Sequence, residues 1–219
     1  MYKKSEIKAL AEKVNDYWIG QNPDVGDCAW ERATYFLGNV AAYEILGKKE
    51  YLDYALKWAE KNNWEFYKDV TEKRKYTTSA DSQLCGETYL KLMDLVPGCG
   101  TDENIKRSIE YTLCDNIDDY WWWIDTIHMA LPLYNMLGVR YNDERCIDKV
   151  NKLFNNTRKD RECYDEEEHL WFRDEKQLFS KKKTINGKKV FWSRGNGWVF
   201  AGLGRTFKYL PKDNKYYNE

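Results

Sequence analysis

The sequence predicts an all-α fold, built as a single domain of helical hairpins over residues 1–219. Three observations carry that prediction. Apolar residues recur at helical spacing in eight stretches, strand-like patterns are confined to one region late in the chain, and no low-complexity linker divides it. The length suffices for one domain with a substantial core, burying roughly 70% of its unfolded surface.

Ile7, Leu10, Ala11, Val14, Tyr17 and Trp18 predict a first helix over about residues 4–20, broken by Pro23 and Gly26. Ala33, Phe36, Leu37, Val40 and Ala41 carry a second from about 28 to 46, stopped by Gly47 in the way glycine commonly ends helices. Tyr51, Tyr54, Ala55 and Trp58 mark a third over about 49–62, after which a polar, lysine-rich stretch runs to Ser79. Leu84, Thr88, Leu92 and Leu95 place the fourth at about 81–95, before Pro97-Gly98. The fifth is expected over about 102–116, the sixth over about 125–137 up to Gly138, and the seventh over about 143–157. His169-Leu-Trp-Phe172 and Lys189-Val-Phe191 then look strand-like, with Asn186-Gly187 as a hairpin turn signal. An eighth helix is expected over about 197–209, ended by Pro211.

Composition narrows the function classes. Ten Trp and 17 Tyr exceed what a helical core normally requires. Each joins an apolar body to a polar tip, so the surplus suits a cleft for polyhydroxylated ligands, with part of it going to the core. A formal charge of −1 gives no electrostatic case for nucleic acid or an anionic membrane. The Lys181-Lys182-Lys183 and Lys188-Lys189 cluster reads as the solvated face of a loop. No apolar run reaches the ~18 residues of a membrane span. Met1-Tyr-Lys-Lys-Ser-Glu lacks the apolar segment of a secretory signal, so a cytoplasmic chain is expected. The six cysteines, at 28, 85, 99, 114, 146 and 163, match neither metal-ligand nor redox spacing and read as reduced and non-catalytic.

The densest stretch is Phe191-Trp192-Ser193-Arg194-Gly195-Asn196-Gly197-Trp198. Its glycines permit sharp turns and close approach to a ligand, its arginine offers a fork of donors for a carboxylate, and its tryptophans offer walls for a sugar ring. The plainer reading is a Gly-rich loop before a helix, with both tryptophans as core anchors. Tyr120-Trp121-Trp122-Trp123-Ile124-Asp125-Thr126-Ile127-His128-Met129-Ala130 sets a carboxylate beside aromatic bulk. Burial against indole raises a carboxyl pKa while a helix N-terminus or an arginine lowers it, and a carboxyl poised between them can serve as acid and then base. Asp81 and Asp125 equally suit helix N-caps. His128 reads either as orienting Asp125 or as a hydrogen-bonded helix residue. Trp30-Glu31-Arg32, Asp81, Trp123-Ile124-Asp125 and Trp192-Ser193-Arg194 all sit at the starts of even-numbered helices. If those helices form an inner layer, the four groups gather at one rim, as in an α/α toroid.

Trp122-Trp-Ile-Asp-Thr-Ile-His-Met-Ala-Leu-Pro132 and Phe191–Trp198, with Leu210-Pro211, closely resemble the unsaturated uronyl hydrolases of glycoside hydrolase families 105 and 88. The resemblance runs from Trp30 to Pro211. It implies an (α/α)6 barrel acting on the 4,5-unsaturated uronic acid that a polysaccharide lyase leaves at a chain end. The implied chemistry hydrates the C4=C5 vinyl ether: an aspartic acid protonates C4, water adds at C5, and the hemiketal opens to release the neighbouring sugar. No metal or organic cofactor is implied. By motif position Asp125 matches the general acid/base and Asp81 the second aspartate. His169, Trp192 and Arg194 match residues around the uronate subsite, and Trp30, Tyr35, Trp123 and Met129 its lining.

Length departs from that pattern, since the barrel has twelve helices and eight are read here. The expectation is a C-terminally truncated toroid whose open seam drives self-association. Beside the hydrolase stand two alternatives: an inactive remnant that retains sugar binding, and an interaction module of helical hairpins. The arginine and aspartate motifs argue against the module, because packing alone would not select them.

Overall fold

The structure is a computed structural model that describes residues 3–68 and 76–218. Its contacts divide the chain into two compact units, Met1–Thr77 with Ser82–Ile109, and Thr78–Asp81 with Glu110–Glu219. Among the described residues eight helices have eleven residues or more, close to the stretches read from periodicity.

The first unit contains α1 (Lys4–Gln21), α2 (Trp30–Leu46) and α3 (Lys49–Lys61). The four-residue α4 (Ala80–Gln83) leads into α5 (Cys85–Leu95), and α6 (Glu103–Cys114) follows. Gly47 closes α2 with φ 71°, in the left-handed region its sequence position suggested. Helix α2 packs against α1, α3 and α5. Its core is aromatic: Phe36 stacks on Trp58 at 4.2 Å, and Tyr89 lies 5.0 Å from Trp58 and 5.6 Å from Trp64. Trp58 also donates from its indole N–H to the Asp27 carbonyl at 2.7 Å. Much of the aromatic surplus therefore serves packing rather than a cleft.

In the second unit α7 (Asp125–Met129) and α8 (Leu131–Tyr141) precede α9 (Glu144–Asn155), which runs on into a π-turn over Asn156–Asp160. Strands β1 (Tyr164–Asp165) and β2 (Leu170–Trp171) form a short antiparallel hairpin, pairing Tyr164 with Trp171 and Asp165 with Leu170. Helix α10 (Ser193–Tyr209) packs on α7 and α8, and α8 packs on α9.

Three local expectations change. The sixth helix breaks at Ala130 because Pro132 has no N–H to give the His128 carbonyl, and its ring crowds that carbonyl. The hairpin forms from 164–165 and 170–171, not between 170 and 190, because the Asn186-Gly187 turn closes on itself through Thr184 and Lys188. The last helix begins at Ser193, so the Arg-Gly-Asn-Gly run is its first turn and not a loop. Among the described residues no helix is long and apolar enough to cross a membrane. All six cysteines are free thiols.

Candidate active site

The segment before Asp125 is fixed from below. Lys149, buried on α9, donates through Nζ to the carbonyls of Asp115 at 2.7 Å and Ile117 at 2.8 Å, and to Asp118 Oδ1 at 2.8 Å. Thr157 Oγ1 donates to the Trp121 carbonyl at 2.6 Å, and Trp121 is buried. Its neighbours diverge: Trp122 is half exposed, while Trp123 forms an isolated antiparallel bridge with Asp174. One residue on, the Ile124 N–H donates to the Arg173 carbonyl at 3.0 Å. The N-cap of α7 is thus Ile124, which has no side-chain acceptor, and Asp125 is the first helical residue. Position alone does not make Asp125 the cap.

Across α7 lies α10, and two glycines let it come close. A Cβ on Gly202 would stand 2.5 Å from the Ile127 carbonyl oxygen, and one on Gly195 2.3 Å from the Trp192 ring and 3.0 Å from Ile124 Cδ1. Both have ordinary helical backbones, so closeness of approach, not turning, explains them. The break at Pro132 frees the His128 carbonyl, and Arg205 on α10 takes it at 2.6 Å through Nη2 while Nη1 reaches His128 Nδ1 at 3.1 Å. Burial first, then Arg205, pulls the His128 pKa down to about 3, so the ring is neutral and accepts at Nδ1. His128 therefore ties α7 to α10, the hydrogen-bonded-residue reading rather than the one orienting Asp125.

At the other end of the crossing, Arg194 holds its guanidinium over the Trp192 ring, 4.6 Å from the ring centre. It is exposed and forms no ion pair with a described residue. Asp125 is half-buried, and burial raises its carboxyl above the ordinary value. Its own backbone N–H and the charges of Arg173 and Arg194 pull the other way, while Asp174 adds to the rise. Asp174 is itself almost fully buried, holding Arg173 Nε at 2.8 Å and the Lys176 N–H at 2.8 Å. A half-buried carboxyl whose pKa burial raises and an exposed guanidinium over an indole can transfer a proton and bind a carboxylate, respectively.

The remaining residues fall elsewhere. Asp81 lies in α4, half-buried, in the same unit as Asp125. Met129 is buried at the end of α7, and Trp123 is half-buried with its ring 4.1 Å from Trp122. His169 is exposed, with φ 53° and Nδ1 3.1 Å from the Tyr164 hydroxyl. It lines a cavity of about 650 Å³ together with Tyr164, Trp171, Phe200 and Phe207; neither Asp125 nor Arg194 lines it. Trp30 and Tyr35 belong to the first unit. Trp30 is partly exposed at the start of α2, and Tyr35 stacks on Trp18 at 4.4 Å and donates to Asn15 Oδ1 at 3.1 Å. Arg173, Asp174 and Arg205 escaped sequence reading because only the Trp123–Asp174 bridge and the α7–α10 crossing give them a place. Among the described residues no group of three or more His, Cys, Asp or Glu could hold a metal ion.

A sequence model of glycosyl hydrolase family 88 matches residues 3–219. Over 97% of its length the chain is 28% identical to an unsaturated 3S-rhamnoglycuronyl hydrolase of Formosa agariphila, of which it covers 59%. One similar solved structure is described as a polysaccharide lyase, with 35% identity, a TM-score of 0.90, and coverage of 98% of this chain and 62% of that one. Another is a family 88 glycosyl hydrolase from Bacteroides vulgatus, with 30% identity, a TM-score of 0.91, and coverage of 99% and 64%. The chain thus spans about three fifths of the length of these proteins. Their likeness bears out the α/α six-hairpin fold class.

Proposed function

Because the chain belongs to glycosyl hydrolase family 88, we propose that it releases a 4,5-unsaturated uronic acid from the end of lyase-generated oligosaccharides by hydrating the vinyl ether. One observation carries the reading: a half-buried Asp125, its carboxyl raised by burial, lies within electrostatic reach of Arg194, which stacks on Trp192 and pairs with no described acid. Asp125 gives its proton to C4. Water adds its oxygen at C5 and returns a proton to the Asp125 carboxylate, and the C5 hemiketal then opens to free the next sugar. Arg194 holds the uronate carboxylate and Trp192 the ring face. Asp81 serves as the second carboxylate, and His169, Trp123 and Met129 contribute to the subsites around them.

The test is ultraviolet absorbance of the conjugated double bond in pectic, ulvan and glycosaminoglycan disaccharides. Loss of absorbance with at least one of them supports the proposal; a panel that keeps its absorbance refutes it. A gain of absorbance from saturated uronides would point to a lyase instead. We also infer self-association through the outward face of α10, where Phe200 is 82% and Phe207 50% exposed. Sedimentation velocity should show a mass that rises with concentration, and a monomer throughout would refute it.

A further inference from the structure

Asn196 sits in the most distinctive motif of the sequence, yet neither the proton transfer nor the carboxylate contact employs it. Its side chain forms a reciprocal pair with one residue of the hairpin. The Trp171 N–H donates to Asn196 Oδ1 at 2.8 Å, and Asn196 Nδ2 donates back to the Trp171 carbonyl at 2.9 Å. Nδ2 also donates to the Trp192 carbonyl at 3.1 Å. The carboxamide thus pairs with Trp171 as a neighbouring strand would, from the first turn of a helix.

What Trp171 carries gives the pair its reach. Two residues before it is His169, held in the left-handed region at φ 53° and within 3.1 Å of the Tyr164 hydroxyl, while Tyr164 is the strand partner of Trp171. One residue after it, the Phe172 N–H donates to the Cys163 carbonyl at 2.8 Å. Next, the Arg173 carbonyl receives the Ile124 N–H and Asp174 bridges Trp123, immediately before Asp125. Residues 170–174 therefore form one rail, with the hairpin of His169 at one end and the entry to Asp125 at the other. A single residue, Gly195, separates Arg194 from the Asn196 amide that grips this rail.

We propose that Asn196 is a positioning residue: by locking residues 170–174 to the first turn of α10, it sets where His169 and Asp125 stand relative to Arg194. The catalytic consequence rests on the hydrolase reading, but the placement itself does not. Asn196→Ala deletes the clamp without adding charge. The chain has two histidines, so His128 serves as an internal control for His169 in proton NMR.

In Asn196→Ala the ring signals of His169 should move while those of His128 stay, and exchange of the Trp171 amide should accelerate at least tenfold, as expected when a single hydrogen bond shields it. With an unsaturated disaccharide, kcat/KM should fall about tenfold or more, mainly through KM, because the contacts to substrate are displaced while the Asp125 carboxyl itself is retained. Unchanged His169 signals with unchanged Trp171 exchange would overturn the proposal. So would moved signals with unaltered kcat/KM in an active enzyme, since the clamp would then be structural only. If the alanine variant fails to fold, Asn196→Asp keeps the acceptor for Trp171 and loses both donor bonds, and the His169 signals decide: movement supports the clamp and unchanged signals overturn it. A wild-type chain inert towards every disaccharide would sink the hydrolase reading, while the NMR result would still decide the placement.

Discussion

Helix α10 carries two arginines that cross α7 at opposite ends, and they have opposite fates. Arg205 is part-buried and committed, with Nη2 on the His128 carbonyl and Nη1 on the His128 ring. Arg194 is exposed, lies over an indole and pairs with no described acid. Sequence distance does not explain the contrast; the local backbone does. Pro132 leaves an orphan carbonyl at one end, which a guanidinium fills, while the other end offers Arg194 only a half-buried carboxyl that burial inclines to keep its proton. One arginine joins two helices, and the other stays exposed, where the proposed function puts the substrate carboxylate.

The largest effect should come from removing the proton. Asp125→Asn is expected to lower turnover by about 10²–10⁴-fold with little change in melting temperature. A variant that melted lower but turned over normally would mean that Asp125 only supports its helix. The Arg205 end should instead respond to pH through stability. His128 has a folded pKa of about 3, below the ordinary histidine value of 6.5, so it must take up a proton on unfolding in acid. Its contribution is complete above pH 6.5 and is lost as pH falls from 6.5 towards 3, by about tenfold in the folding equilibrium per pH unit. Urea midpoints across that range should fall for the wild type and flatten for His128→Gln. Asp125, with a raised folded pKa, works in the opposite sense: its contribution is present below 3.8 and is lost as pH rises above it.

Two glycines of α10 sharpen the comparison further. Gly202→Val places a side chain where the Ile127 carbonyl stands and should lose roughly 1–3 kcal/mol of stability, read as a lower urea midpoint. Gly197→Ala meets nothing within 4 Å and should gain up to about 1 kcal/mol. An equal response at both positions would refute the close crossing. The smallest contrast is between the arginines themselves. Arg205→Ala should lower stability by about 1–3 kcal/mol by leaving buried acceptors unpaired. Arg194→Ala should leave the melting temperature nearly unchanged and raise KM instead.

Helical periodicity made most of the fold legible, because a buried stripe must recur along each helix wherever its partner lies. Leu92, Ile105 and Val150 are fully or almost fully buried, as their spacing implies. Pro132 was visible too, but the break it makes at Ala130 depends on which carbonyl it deprives, which periodicity does not register. The motif around Arg194 was legible as chemistry and misplaced as geometry, since glycines that look like a loop are here a helix pressed against a neighbour. Arg173 and Asp174 reach the neighbourhood of Asp125 only through a bridge to Trp123 that no local pattern announces.

Deuterium incorporation tests the central claim most directly. An unsaturated disaccharide is incubated with the protein in heavy water, and the released acid is analysed by mass spectrometry and NMR at early times, before solvent exchange beside the new carbonyl. Protonation from Asp125 predicts one deuterium on carbon at C4 and loss of the double bond, both abolished in Asp125→Asn. Release of an acid that keeps its double bond and carries no carbon-bound deuterium would place the proton on the glycosidic oxygen and contradict the account.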